Sequence, residues 1–128
     1  VAYLGVVPEA LSRFSPLLQA LGVRDRFEAR DYLHANACLA NDFPGTPLPP
    51  HMLTACVTTL QRAAAVGGSH HDGSAFFLPD ARSVLRPAPE LTFDDAPWLS
   101  AGLRDDAGGA GVSFVHERIS CELAETLG

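Results

Sequence analysis

The stretch AFFLPDARSVLR, from Ala75 to Arg86, decides the fold class, because the helical spacing of the preceding sequence stops at this point. Two short apolar runs, at 75–78 and 84–86, flank the turn-rich segment 79–83. Paired apolar runs around a turn predict a small β-hairpin. The prolines at 79, 87, 89 and 97 keep the surrounding chain irregular or at a sheet edge.

The sequence before the hairpin is helical in pattern. Apolar residues at helical spacing predict a segment over 8–22 that breaks at Ser15-Pro16 and ends at Gly22. Two further helices are predicted, over 29–41 and 51–66, separated by a loop rich in proline and glycine. We therefore expect a helical segment over residues 1–66.

The sequence after these helices is predicted to divide into four parts. They are a polar loop at 67–74, the hairpin and an irregular region at 75–104, a Gly-rich linker at 105–112, and a C-terminal helical segment at 113–128. The last segment contains a stripe of Ile119, Leu123 and Leu127 at four-residue spacing, with the helix itself expected from about Glu117. Together the patterns predict an α+β fold that is mostly helical, with a small β-hairpin, in a single small domain cut from a longer protein.

The composition narrows the partners and the compartment. The 128 residues carry 15 acidic and 9 basic side chains, for a net charge of −6 and a pI of about 5.2. An acidic chain is a poor match for nucleic acid or for an anionic membrane surface, and no run approaches the roughly 20 apolar residues of a membrane span. The three cysteines, an odd number without a C-x-x-C pair, indicate a reducing compartment, so we expect a cytoplasmic location.

The C-terminal half of the chain resembles a known family. Its matching stretches are FLPD (77–80), VLRPA (84–88), ELTFDDAPWL (90–99), and then Phe114-Val115-His116, Ile119-Ser120 and LAETLG (123–128). This pattern is similar to the end of a sacsin repeat, most specifically between Phe77 and Leu99. Phe93-Asp94 stands where that family often has Tyr-Asn. Looser similarity extends through the N-terminal half, at Leu21-Gly22-Val23 and Asp31-Tyr32-Leu33.

Sacsin-like proteins are very large and repeat a unit that begins with an ATPase domain of the gyrase, histidine-kinase and heat-shock type. The resemblance implies a role in protein folding and quality control. It also implies that this chain is a non-catalytic segment between ATPase domains, with a neighbouring ATPase domain of the same polypeptide as its partner and chaperones or client proteins as further partners. A free-standing protein-interaction module without an ATPase-linked role is the alternative.

No enzyme is expected, because no catalytic or cofactor-binding set emerges. Asp94-Asp95-Ala96 resembles part of the ATP site of this ATPase class, but Pro97 follows and no Glu-x-x-x-Asn helix precedes it. The Gly-rich segment 106–111 resembles the Asp-x-Gly-x-Gly motif of the same ATPase class. Gly108 matches the first glycine of that motif, but Ala110 stands where the second glycine is required. His70-His71-Asp72 is interpreted as a polar loop and not a metal site, and Cys121 with His116 has poor spacing for a nucleophile and base. We therefore expect no metal and no cofactor.

Four residues are candidates for interaction. Trp98 is expected to pack in the core, with a partner contact as the alternative. His116 is expected to cap or pack before the last helix, or else to contact a following ATPase domain. Ile119 and Leu123 are expected to face partly toward that following domain, because a helix of about eleven residues needs a partner surface.

Overall fold

A computed structural model of the chain describes residues 7–67, 76–96, 98 and 112–127. Helices and strands are numbered in chain order. The helices are α1 (Glu9–Ser12), α2 (Ser15–Ala20), α3 (Ala29–Asp42), α4 (Pro50–Val66) and α5 (Cys121–Leu127). The strands are β1 (Phe77–Pro79), β2 (Leu85–Pro87), β3 (Leu91–Thr92) and β4 (Ser113–Phe114), with a 3-10 turn at Ala88–Glu90.

The two long helices begin and end at residues suited to those positions. A capping box opens α3, in which Glu28 and Asp31 exchange side-chain to backbone hydrogen bonds. Pro50 occupies the first turn of α4, where its missing N–H costs nothing. The helix ends at Val66 and is followed by Gly67, whose φ of 65° is a conformation that other residues adopt rarely.

The strands form two short pairs. β1 and β2 are antiparallel, with Leu78 opposite Arg86, and β3 and β4 are parallel, with Leu91 opposite Ser113. A bridge between Asp80 and Val115 connects the two pairs along the outer side of β1. The strand ends therefore lie in the order β2, β1, β4, β3.

The core lies where α4 meets α3, α5 and the hairpin. α3 packs along α4, α5 packs on another part of α4, and β1 contacts α3. The buried core cluster comprises Leu33, Leu39, Leu48, Leu53, Cys56, Val57, Leu60, Ala63, Leu78, Leu85, Val115, Ile119 and Leu127. Each of α3, α4 and α5 contributes to it, whereas α1 and α2 do not.

Two buried polar side chains fix the hairpin in place. The side-chain amide of Asn36 donates to the carbonyl of Phe77 at 3.0 Å, and its oxygen accepts from the Phe77 N–H at 2.8 Å. Asp80 accepts from the backbone N–H groups of Arg82 and Val84 and forms an ion pair with Arg86 at 2.9 Å. The first residue holds β1 on α3, and the second shapes the turn between β1 and β2.

The α+β class, the broken N-terminal helix, both long helices and the hairpin are confirmed. The C-terminal segment needs correction: Ser113–Phe114 is a strand, and the last helix begins at Cys121 instead of near Glu117. The side-chain hydroxyl oxygen of Ser120 accepts a hydrogen bond from the Leu123 N–H at 3.2 Å and so caps the N-terminus of that helix. The loop predicted over 67–74 and the linker over 105–112 lie almost entirely outside the described residues.

The expectation that Trp98 packs in the core is wrong. Its side chain is 78% exposed. The buried apolar residues of the strands and of the segment before α5 are smaller ones, among them Leu85, Phe114 and Ile119.

The C-terminal helix also differs from its expectation. Ile119 is 4% exposed and Leu127 is 1% exposed, and Leu123 packs against the same core. The apolar stripe is therefore buried against α4 of this domain, because a seven-residue helix is stable only when such a surface covers it.

Candidate interaction surface

Exposed apolar side chains concentrate in the N-terminal helices. Of the eight large apolar residues that are exposed in the described part of the chain, five lie between positions 11 and 23. We call these five residues the N-terminal apolar surface: Leu11, Phe14, Leu17, Leu21 and Val23. Single exposed apolar residues are ordinary, but a concentration of this kind in one short segment is typical of an interaction site.

The local sequence explains why this segment is helical yet separate from the core. Pro16 lies in the first turn of α2, where proline is tolerated. At the other end, the Val23 N–H donates to the Leu18 carbonyl and the Gly22 N–H donates to the Gln19 carbonyl, both at 2.9 Å. These two bonds, with Gly22 at a φ of 85°, form a Schellman stop. Helices of four and six residues are too short to bury an apolar stripe of useful width.

Ion pairs attach the segment to α3. Arg24 pairs with Asp31 and, at 3.7 Å, with Glu28, and the amide of Gln19 donates to Asp25 at 2.6 Å. Beside them, the rings of Phe27 and Tyr32 meet edge to face with centroids 5.7 Å apart. The N-terminal apolar surface is thus joined to the capped start of a core helix.

The charges at this junction support each other. Burial by itself would raise the pKa of Asp31, but hydrogen bonds from the Glu28 N–H and from Arg24 lower the pKa below its ordinary value. The same hydrogen bond to Asp31 raises the pKa of Arg24. The pair is therefore charged at neutral pH, with Asp31 at the N-terminal end of α3, where a carboxylate also interacts favourably with the helix dipole.

A second arginine lies on the surface itself. The guanidinium carbon of Arg13 is 4.8 Å from the ring centre of Phe14, which is a cation–π contact. The surface consequently combines apolar side chains with a cation that is held over an aromatic face.

The four interaction candidates predicted from sequence lie in different surroundings. Trp98 is exposed and open to a partner. The His116 N–H donates to the Pro79 carbonyl at 2.8 Å, and its Nδ1 accepts from the Arg118 N–H at 3.1 Å, so this residue forms the turn before α5. The same turn brings Ile119 close to His116 through a 2.9 Å backbone bond. Ile119 and Leu123 belong mainly to the core, which leaves Trp98 as the most accessible of the four.

An open groove of about 430 Å³ lies between α4 and α5. Its lining residues are Gln61, Arg118, Ser120, Glu122, Leu123 and Thr126. Several of their polar groups are already engaged: Arg118 donates to Thr54 at 3.0 Å, and the Thr126 hydroxyl donates to the Glu122 carbonyl at 2.7 Å. The groove therefore offers few polar groups for recognising a ligand.

The segments that resembled catalytic or metal-binding motifs do not form a second candidate site within the described residues. Asp94 and Asp95 lie in irregular chain and not on a helix. Positions 70–72 and 106–111 lie outside the described residues. The Cys121 thiol contacts Glu125 at 3.4 Å, and this hydrogen bond raises its pKa, so it is a poor nucleophile.

Sequence reasoning did not identify the N-terminal apolar surface as a site, although a signal was present. Pro16 and Gly22 confine the helices to a few residues each, while the apolar positions continue through both. Apolar residues on helices too short to pack stay exposed. This combination predicts an exposed surface.

Known proteins offer no match to this chain. No protein-family model, no curated protein and no solved structure matches it. The resemblance to sacsin repeats therefore stays a prediction from the sequence stretches quoted above, chiefly 77–99. Within the described parts of the chain, no helix has the length and apolar character to cross a membrane.

Proposed function

We propose that this chain is a non-catalytic interaction segment of a sacsin-like chaperone or co-chaperone in the cytoplasm, and that it positions a neighbouring ATPase domain of the same polypeptide. The observation that carries this proposal is the N-terminal apolar surface, which the domain's own core leaves uncovered. The resemblance over 77–99 supplies the expected neighbour.

Two properties of the surface support a domain contact. Its apolar side chains lose little conformational entropy on packing, and the Arg24 ion pairs already fix the end of the segment on α3. A partner that covers Leu17 and Leu21, which are 58% and 72% exposed, would gain the usual hydrophobic stabilisation of about 25 cal/mol per Å² of apolar area. Exposed Trp98 offers a second contact point.

The test is to express the natural polypeptide that contains this chain and to compare it with the isolated chain by hydrogen exchange. If a neighbouring domain covers the surface, the amides of residues 14–23 exchange more slowly in the larger protein. A double substitution, Leu17→Glu with Leu21→Glu, should abolish that protection and alter the rate of Mg-ATP hydrolysis by the neighbouring domain.

Val66→Glu is the matched control. Val66 is an exposed apolar residue, at 47%, that lies at the end of α4 and outside the N-terminal apolar surface. Its substitution should leave both protection and hydrolysis unchanged. Equal exchange of residues 14–23 in the two proteins would contradict the proposal.

The proposal also requires that this chain does not itself bind nucleotide. Isothermal titration of the isolated chain with Mg-ATP should give only heat of dilution, and micromolar binding would overturn the non-catalytic assignment.

The second candidate function is a free-standing protein-interaction module, which the same exposed surface favours equally. The two differ in context. If the natural polypeptide holds no ATPase domain of this class, but the Leu17→Glu, Leu21→Glu variant loses binding to a separate protein, the module is the better description.

A further inference from the structure

A histidine and a cysteine, neither of them in the N-terminal apolar surface, face each other on α3. His34 and Cys38 are four residues apart, so their side chains project from the same face of the helix. The Cys38 Sγ and the His34 Nε2 are 3.6 Å apart and share a hydrogen bond. His34 is exposed and Cys38 is half-buried, so both are open to solutes.

This separation matches the spacing that a single zinc ion requires. Zn²⁺ binds thiolate sulfur at about 2.3 Å and imidazole nitrogen at about 2.0–2.1 Å, and a tetrahedral angle of about 109° between them places sulfur and nitrogen about 3.6 Å apart. The two donor atoms would hardly need to move to ligate one ion. Sulfur and imidazole nitrogen also select zinc and similar transition metals over magnesium or calcium.

We propose that His34 and Cys38 form a two-residue site for one Zn²⁺ ion or a similar transition-metal ion per chain. On binding, the S–H bond of Cys38 breaks and its proton passes to solvent, a bond forms between Sγ and the ion, and His34 binds through Nε2. The described residues contain no cluster of three or more potential ligands, so the protein supplies two ligands there and the remaining positions of the ion are left to solvent. The ion then bridges successive turns of α3.

A second pair at the same spacing offers an internal comparison. The Cys121 Sγ lies 3.4 Å from Oε1 of Glu125 on α5. There the carboxylate accepts a hydrogen bond from the thiol and raises its pKa, which opposes the thiolate that a metal needs. Cys121 is therefore a thiol of similar spacing that should bind metal much more weakly.

Cobalt is the probe, because Co²⁺ replaces Zn²⁺ in such sites and a cobalt–thiolate bond absorbs in the near ultraviolet. Titration of the full chain with CoCl₂ should give this charge-transfer band at one ion per chain, and ZnCl₂ should displace it whereas MgCl₂ should not. Cys38→Ser should remove the band. His34→Gln should weaken binding by about tenfold or more, since loss even of groups that only support a metal ligand costs that much. Cys121→Ser should keep both band and affinity.

A measurement on the unsubstituted chain avoids any effect of substitution on folding. Zn²⁺ should slow maleimide labelling of Cys38, located by mass spectrometry, and leave labelling of Cys121 unchanged. The proposal is overturned if the chain gives no band, if the band survives Cys38→Ser, if His34→Gln binds as tightly as the unsubstituted chain, or if Zn²⁺ protects both thiols equally.

Discussion

Replacing Asn36 by alanine tests how the hairpin is held on the helices. Asn36 is 1% exposed, and its amide satisfies both the N–H and the carbonyl of Phe77. The Asn36 side chain thus forms the same pair of hydrogen bonds with Phe77 that a residue of a neighbouring strand would form. The Asn36→Ala variant would leave both backbone groups of Phe77 without these partners in a partly buried place.

The size of the effect follows from those two groups. A buried donor or acceptor left without a partner costs about 1–3 kcal/mol, and β1 is short enough for water to reach part of the vacated space. We therefore expect the free energy of unfolding to fall by about 2–4 kcal/mol. This is a large share of the roughly 5–15 kcal/mol that stabilises a typical domain.

A urea melt followed by circular dichroism measures the loss, and hydrogen exchange at the Phe77 amide localises it. Asn41→Ala is the matched control, because Asn41 is an exposed asparagine on the same helix. Its unfolding free energy should stay within about 0.5 kcal/mol of the original. If Asn36→Ala cost less than about 1 kcal/mol, or if the Phe77 amide kept its protection, Asn36 would not hold the hairpin.

Three further results are expected. Trp98→Ala should change the free energy of unfolding by less than about 0.5 kcal/mol in a urea melt, because the ring is exposed; a loss near 3 kcal/mol would place it in the core. Leu127→Ala should cost about 2–5 kcal/mol and speed hydrogen exchange throughout α5, whereas unchanged exchange would mean that α5 is not held by this core. Burial raises the pKa of the Cys56 thiol from 9.0 to about 12, although its hydrogen bond with Asn36 lowers it somewhat. Between these values the unfolded chain loses the thiol proton and the folded chain keeps it, so the free energy of unfolding should fall by up to about 1.4 kcal/mol per pH unit, and the Cys56→Ala variant should lack this slope.

The sequence predicted those features that local patterns control. Proline and glycine marked the break near Pro16 and the stop at Gly22, and apolar spacing located α3 and α4 to within about a residue at each end. The change of period near Ala75 located the hairpin. These signals work because the conformation of a turn and the periodicity of a helix depend on residues close together in the chain.

The candidate site was harder to predict for the same reason. The pattern showed apolar positions in the N-terminal helices, but it could not show that no other described element covers them. The sequence analysis did not single out His34 with Cys38, although helical spacing places both on one face of α3, and their 3.6 Å separation depends on the side-chain conformations.

The sequence by itself determined the α+β class, the long helices and the hairpin. Only the tertiary structure decided that Trp98 is exposed, that Ile119 and Leu127 are buried, that Ser113–Phe114 is a strand, and that Asn36 binds Phe77 across 41 positions of sequence. Burial and strand pairing depend on which distant elements meet. The local sequence around an apolar or amide side chain does not show whether that side chain lies in the core or on the surface, because this depends on which elements pack against it.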